Sequence, residues 1–283
     1  MPFERVGIVG AGIMGAGIAE VAAAHGHEVV LRSRSRSSAD GMLANLERSL
    51  ERQVHRERRT PEERDQVLAR VSVTTDLGAL ADTDLVIESV VEDLAVKKHL
   101  FTELDRVCDD RTVLATNTST LPVVELAMET GRPDRVCGIH FFNPASVMSV
   151  VEVVRPITAS DGTIAAARAF VEACEKEPVE VRDQAGFVVN ALLFPYLNAA
   201  VRMLERGVAT MEGIDAAMRG GCGFPMGPFA LLDLVGLDTS VAILDALYAE
   251  QKDPHLAAAP LLRRMVAAEQ LGRKSGVGFY SYR

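Results

Sequence analysis

Residues Arg5-Val6-Gly7-Ile8-Val9-Gly10-Ala11-Gly12-Ile13-Met14-Gly15 read as an apolar strand that turns through three glycines into an Ala/Ile-rich helix. No other segment narrows the possible folds as far. Gly10 permits the tight turn, Gly12 lets backbone approach a pyrophosphate, and Gly15 lets the helix pack close to the strand; free N–H groups and the helix dipole then face the phosphates. A glycine turn can serve packing alone, so context decides. Here the helix Ala16 to His25 follows, and then a second apolar strand, Glu28 to Leu31. The unit points to a dinucleotide-binding site with Gly10, Gly12, Ile13, Met14 and Gly15 at the cofactor.

The next segment departs from the pattern for NAD. Such sites place Asp or Glu about 20 residues beyond the glycines, to hold the adenosine ribose hydroxyls. This chain reads Arg32-Ser33-Arg34-Ser35-Arg36-Ser37-Ser38, with no acid between Glu28 and Asp40. A carboxylate at position 33 repels a 2′-phosphate, whereas the Ser33 hydroxyl can donate to it and the Arg34 guanidinium can grip it. The run therefore points to NADP. The competing reading is a solvated Arg/Ser loop that accepts NAD less tightly.

With 283 residues, the chain has room for two modest domains. A net charge of −9 argues against a nucleic-acid partner, despite a basic stretch from Arg48 to Arg64. No signal peptide is visible at the N-terminus, and no apolar run reaches the ~18 residues of a membrane span. The four cysteines, Cys108, Cys137, Cys174 and Cys222, are scattered, with no spacing suited to zinc. A reduced, cytoplasmic protein without a metal is the expectation.

The first ~180 residues alternate strand and helix signals, which implies a Rossmann-type, doubly wound, mostly parallel α/β sheet. Strands are expected at Arg5–Val9, Glu28–Leu31, Val71–Val73, Leu85–Glu88, Val113–Ala115, Val136–Ile139, Val150–Val154 and Val179–Val181. Residues 39–69 read as a helical hairpin insertion broken at Thr60-Pro61, where Thr-Pro-Glu-Glu gives an N-cap, a proline in the first turn and acids behind it. Its arginines, Arg52, Arg56, Arg58 and Arg59, face either a phosphorylated ligand or solvent. Beyond Asp183 only helical periodicity remains, over 187–204, 214–218, 229–248 and 261–271. The expected domains are 1–183, binding the dinucleotide, and 184–283, an all-helical substrate and dimerisation domain, in a homodimer.

Four polar segments sit where strands end or the helical part begins: 117–119, 140–144, 151–153 and 186–190. Ligands in open α/β sheets bind beyond the carboxyl ends of strands, which is where Ser119 and His140 fall. His140, directly after its strand, suits a base for a hydroxyl proton. Glu152 lies in an apolar strand where an unpaired carboxylate is costly, and a histidine partner relieves that cost. On spacing alone a structural, hydrogen-bonded histidine remains open.

The chain resembles the short-chain L-3-hydroxyacyl-CoA dehydrogenases. The matching segments are Gly10-Ala-Gly-Ile-Met-Gly15, Val86-Ile87-Glu88, Asn117-Thr-Ser119, His140-Phe-Phe-Asn-Pro144, Val151-Glu-Val153, Gly186-Phe-Val-Val-Asn190, Pro225-Met-Gly-Pro228 with Gly236-Leu-Asp238, and Leu271-Gly-Arg-Lys-Ser-Gly276 with Gly278-Phe-Tyr280. They span the chain in order. The resemblance implies that His140 is the general base, or acid in reduction, and Glu152 its partner. It implies that Ser119 and Asn190 hydrogen-bond the reacting oxygen and the thioester carbonyl of an acyl-CoA substrate. It further implies nicotinamide-side contacts at Glu92, Lys97, Ser119 and Asn143, with Lys274 a further candidate, and a hairpin over the CoA nucleotide, where Arg52 and Arg56 are placed to contact it.

The expected reaction is reversible interconversion of (S)-3-hydroxybutyryl-CoA and acetoacetyl-CoA with NADP(H) preferred. The alternatives are an NAD-dependent 3-hydroxyacyl-CoA dehydrogenase of broader chain length, a sugar-acid dehydrogenase of the L-gulonate type, and a non-catalytic relative. The His-Phe-Phe-Asn-Pro segment and the basic hairpin favour a CoA thioester, and the set Ser119, His140, Glu152 and Asn190 argues for turnover. Two departures from the family pattern are Ser33, where Asp is usual, and Ser149, where Lys is common and to which no consequence attaches.

Overall fold

The structure, a computed structural model, describes residues 3–282. The chain divides into two compact units, Met1–Asp183 and Gln184–Arg283, each with its own apolar core. In chain order the first unit comprises β1 (Arg5–Val9), α1 (Ile13–Ala24), β2 (Glu28–Arg32), α2 (Arg36–His55), α3 (Pro61–Ala69), β3 (Val71–Thr74) and β4 (Leu85–Glu88). It continues through α4 (Leu94–Val107), β5 (Val113–Thr116), α5 (Val123–Ala127), β6 (Val136–Phe141), β7 (Val150–Arg155), α6 (Asp161–Ala173) and β8 (Glu177–Arg182).

The eight strands form one sheet in the order β3-β2-β1-β4-β5-β6-β7-β8. Neighbours from β3 through to β6 run parallel, β7 is antiparallel to β6, and β8 is parallel to β7. The central strands are short and almost wholly buried, as strands covered on both faces must be. This is the doubly wound Rossmann-type sheet expected from the sequence. The strand order reverses between β1 and β4, which opens a crevice beyond their carboxyl ends.

The glycine turn lies at that crevice. Gly10 has φ +140°, and a Cβ there would stand 2.1 Å from the Ser89 carbonyl oxygen that follows β4. Only glycine lets the two strand ends approach so closely. A Cβ on Gly12 would meet nothing within 4 Å, and no side chain caps the first turn of α1. Open space thus faces uncapped helical N–H groups, a cradle that fits a pyrophosphate.

Helix α2 begins at Arg36, three residues before the expected start of the hairpin. Ser35 accepts a hydrogen bond from Ser38 N at 3.2 Å and caps the helix, so Arg36, Ser37 and Ser38 form its first turn instead of a loop. Ala39, Met42, Leu46 and Leu50 make the buried stripe of α2, and the turn to α3 carries the capping box between Thr60 and Glu63 with Pro61 following.

The second unit contains α7 (Val189–Glu205), α8 (Met211–Cys222), α9 (Pro228–Val235), α10 (Leu237–Gln251) and α11 (Pro260–Ala267). The apolar run expected as one helix over 229–248 is broken at Gly236, whose φ of +103° is incompatible with a continuing helix. Two buried aspartates tie this unit together. Asp215 accepts from Phe229 N, Ala230 N and the Tyr280 hydroxyl, and Asp233 accepts from Phe279 N, Tyr280 N and the Tyr282 hydroxyl. Among the described residues no helix is long and apolar enough to cross a membrane.

Candidate active site

Strand β6 runs two residues further than its apolar pattern suggests, because its last residues pair with β7. His140 is therefore a strand residue and not the first residue beyond the strand, and Glu152 is its direct antiparallel partner. Both are buried. His140 Nδ1 lies 2.7 Å from Glu152 Oε2. A carboxylate oxygen only accepts, so Nδ1 carries the proton and Nε2 of the neutral ring keeps its lone pair. Nε2 lies 3.1 Å from Ser119 Oγ. Ser119, His140 and Glu152 thus form one hydrogen-bonded line, and Phe142 packs its ring 4.7 Å from the imidazole. The end of β6 is fixed by Phe141 N donating to Asn117 Oδ1 at 2.8 Å.

The loop that carries Ser119 is itself anchored. Glu92 accepts from Ser119 N at 3.0 Å and from the Thr118 hydroxyl. Burial pushes the Glu92 carboxyl up, but the Lys97 ammonium and the bonds from Thr118 and Ser119 outweigh it and hold the group below its usual range. Lys97 is fully buried, with Nζ 2.6 Å from Glu88 Oε1 and 3.2 Å from Glu92 Oε2. Glu88, at the end of β4, also accepts from Val90 N and the Thr116 hydroxyl. Lys97 is therefore a paired cation, engaged by both Glu88 and Glu92. Glu88 is a partner that the sequence reading missed. The available signal was the stripe Lys97, Leu100, Phe101 and Leu104 on α4: a lysine in line with buried apolar residues needs a buried acid.

Two cavities open on the first unit. One, of about 530 Å³, is lined by Gly10, Gly12, Arg32, Ser33, Arg34 and Ser35 among others. Ser33 is only 3% exposed, yet it forms part of the wall. The Nε of Arg32 is buried and has no hydrogen-bond partner among the described residues. The other, of about 300 Å³, lies between α1, α2 and the loop after β6; Ile13, Glu20, Arg48, Arg52, Asn143 and Ser146 are among its walls.

These cavities separate the expected contacts. Ile13 and Asn143 are exposed on the second cavity, and Arg52 joins them there with Arg48. Arg56 sits at the C-cap of α2 outside that wall, and Arg58 and Arg59 line a different hollow at the hairpin tip. Gly15 is buried and the Met14 side chain packs against the core. In the second unit Asn190 is buried in the first turn of α7, while Lys274 is held by both carboxylate oxygens of Asp238, at 2.5 and 2.6 Å.

Comparison with known proteins identifies this arrangement. Residues 5–184 match the 3-hydroxyacyl-CoA dehydrogenase NAD binding domain, and residues 186–282 match the C-terminal domain of 3-hydroxyacyl-CoA dehydrogenase. The chain belongs to the 3-hydroxyacyl-CoA dehydrogenase family. It is 49% identical over 281 residues to a 3-hydroxybutyryl-CoA dehydrogenase of Mycobacterium tuberculosis, covering 99% of this chain and 98% of that protein. The crystal structure of M. tuberculosis FadB2 superposes with a TM-score of 0.98 at 48% identity, covering 99% of both chains. That of (S)-3-hydroxybutyryl-CoA dehydrogenase PaaH1 from Ralstonia eutropha gives 0.96 at 41%, again over 99% of both. For this member of the 3-hydroxyacyl-CoA dehydrogenase family the matches run through both units.

Proposed function

We propose that the chain catalyses the reversible oxidoreduction of (S)-3-hydroxybutyryl-CoA and acetoacetyl-CoA, with NADP(H) preferred over NAD(H). The observation that carries the reading is the Ser119–His140–Glu152 line at the carboxyl end of the sheet. The full-length similarity to proteins named 3-hydroxybutyryl-CoA dehydrogenase supports the substrate.

The dinucleotide, when bound, supplies or accepts the hydride. Gly10, Gly12, Ile13, Met14 and Gly15 are read as its pyrophosphate turn, and Asn143 and Glu92 as contacts nearer the nicotinamide. Lys97 acts through Glu92, and Lys274 would first have to be released by Asp238. The protein's own part is the proton. In oxidation His140 Nε2 takes the proton of the substrate hydroxyl, with Ser119 Oγ sharing the same oxygen, and in reduction it returns it. Glu152 keeps Nδ1 protonated and stabilises the imidazolium that forms. Asn190 is read as a donor to the thioester carbonyl, and Arg52 as a contact for the phosphates of CoA.

The cofactor preference is supported by three features of the first cavity: Ser33 in place of a carboxylate, the exposed guanidinium of Arg34, and the unpartnered Nε of Arg32. Self-association of the helical unit as a homodimer is supported by exposed apolar side chains on it, Leu192, Phe224 and Leu234 among them. The test of the function is the initial rate of acetoacetyl-CoA reduction with NADPH and with NADH, in wild type and Ser33→Asp. The expected result is a higher kcat/KM with NADPH that Ser33→Asp reverses. A wild-type preference for NADH overturns the cofactor assignment, and no rate with either overturns the reaction.

A further inference from the structure

The network behind Ser119 holds more charge than positioning requires. Two carboxylates, Glu88 and Glu92, share the single ammonium of Lys97, so one negative charge is left over. Glu88 is fully buried and takes the shorter bond, 2.6 Å against 3.2 Å. The Glu92 side chain is 40% exposed. The surplus charge therefore faces outward at Glu92, and its Oε1 is 3.0 Å from the backbone N of the residue whose hydroxyl touches His140.

We propose that the Glu88–Lys97–Glu92 cluster makes the site discriminate between oxidation states of the nicotinamide, with Glu92 selectively stabilising the oxidised ring. The inference rests on the reading of the Ser119–His140 line as the hydride-transfer site. Transfer requires the ring to stand beside the carbon whose oxygen meets Ser119 and His140, which brings it into the neighbourhood of Glu92. The ring is cationic when oxidised and neutral when reduced. A carboxylate fixed there by Thr118, Ser119 and Lys97 lowers the free energy of the first form and leaves the second nearly untouched. The same charge stabilises the positive charge that develops on the ring as a ketone is reduced. Lys97 has a defined part: it neutralises Glu88, so that a single uncompensated charge remains.

The test is the ratio of dissociation constants, Kd(oxidised)/Kd(reduced), measured by fluorescence titration without substrate. In this ratio the contribution of the adenosine end cancels, so NAD⁺/NADH and NADP⁺/NADPH serve equally and the outcome is independent of the cofactor preference. Glu92→Gln keeps an oxygen for Thr118 and Ser119 but removes the charge; the ratio is expected to rise about tenfold, nearly all of it from weaker binding of the oxidised form. Thr118→Val removes one of the three anchors but leaves the charge in place, still held by Ser119 N and Lys97, and should move the ratio by less than twofold. Because Glu92 is partly exposed, raising salt from 0.05 to 0.5 M should raise the wild-type ratio roughly threefold, a check that needs no variant. A ratio that stays within twofold in Glu92→Gln and with salt, or moves equally in Thr118→Val, overturns the proposal while leaving the site reading intact. Failure of wild type to bind either dinucleotide overturns the site reading itself.

Discussion

His140 and Glu152 face each other across the antiparallel pair β6–β7, His140 Nδ1 2.7 Å from Glu152 Oε2, and both side chains are buried. The ladder itself sets their separation, so no loop motion is needed to assemble the pair. Glu152→Gln leaves the pairing in place but lets the amide donate toward Nδ1, which favours the tautomer with its proton on Nε2. The expected outcome is a kcat lower by ~10²-fold or more with KM changed little, read from steady-state rates of acetoacetyl-CoA reduction. A variant with wild-type turnover would remove Glu152 from the mechanism.

Arg52 and Arg56 are one helical turn apart on the chain, yet only Arg52 lines the cavity between α1 and α2. Arg52→Ala should raise the KM for acetoacetyl-CoA about three- to tenfold at low salt, with kcat nearly unchanged, as loss of an exposed cation at a phosphate predicts. Arg56→Ala should change KM less than twofold. Equal effects in both would place the CoA phosphates outside this cavity.

His27 gives the fold a pH dependence. Its ring is fully buried against Phe170, Nδ1 is 2.8 Å from the Phe3 carbonyl oxygen, and Nε2 has no partner among the described residues. Burial pushes its pKa below the ordinary 6.5; the bond to Phe3 opposes this, and His25 adds to the lowering. The unfolded chain therefore binds a proton that the folded one refuses. Stability is fully present above the unfolded value and is lost as pH falls below about 6.5, by at most ~1.4 kcal/mol per pH unit. The Tm of His27→Gln should be less sensitive than that of wild type between about pH 5.5 and 6.5. Parallel Tm profiles would show that His27 does not control this loss.

Much of this was legible in the residues. The glycine turn, the eight strands, the capped hairpin and the His140–Glu152 partnership follow from apolar periodicity and from the cost of burying a lone carboxylate. The misreadings share a cause, because pattern marks where an apolar run ends and not where pairing or capping carries the backbone. Strand β6 continues through His140 because β7 supplies hydrogen bonds, α2 starts early because Ser35 captures Ser38 N, and the run at 229–248 breaks at a single glycine. The burial of Lys97 was legible only in combination. Its apolar stripe announced a buried cation, but Glu88, nine residues earlier on another element, meets it only once β4 and α4 are packed.

The most direct measurement is kcat for acetoacetyl-CoA reduction in His140→Gln, with the circular dichroism spectrum and Tm recorded on the same preparation. The account predicts a folded protein whose kcat is lower by ~10²–10⁴, the loss expected when the general acid–base is removed. A folded His140→Gln enzyme with undiminished kcat would contradict it.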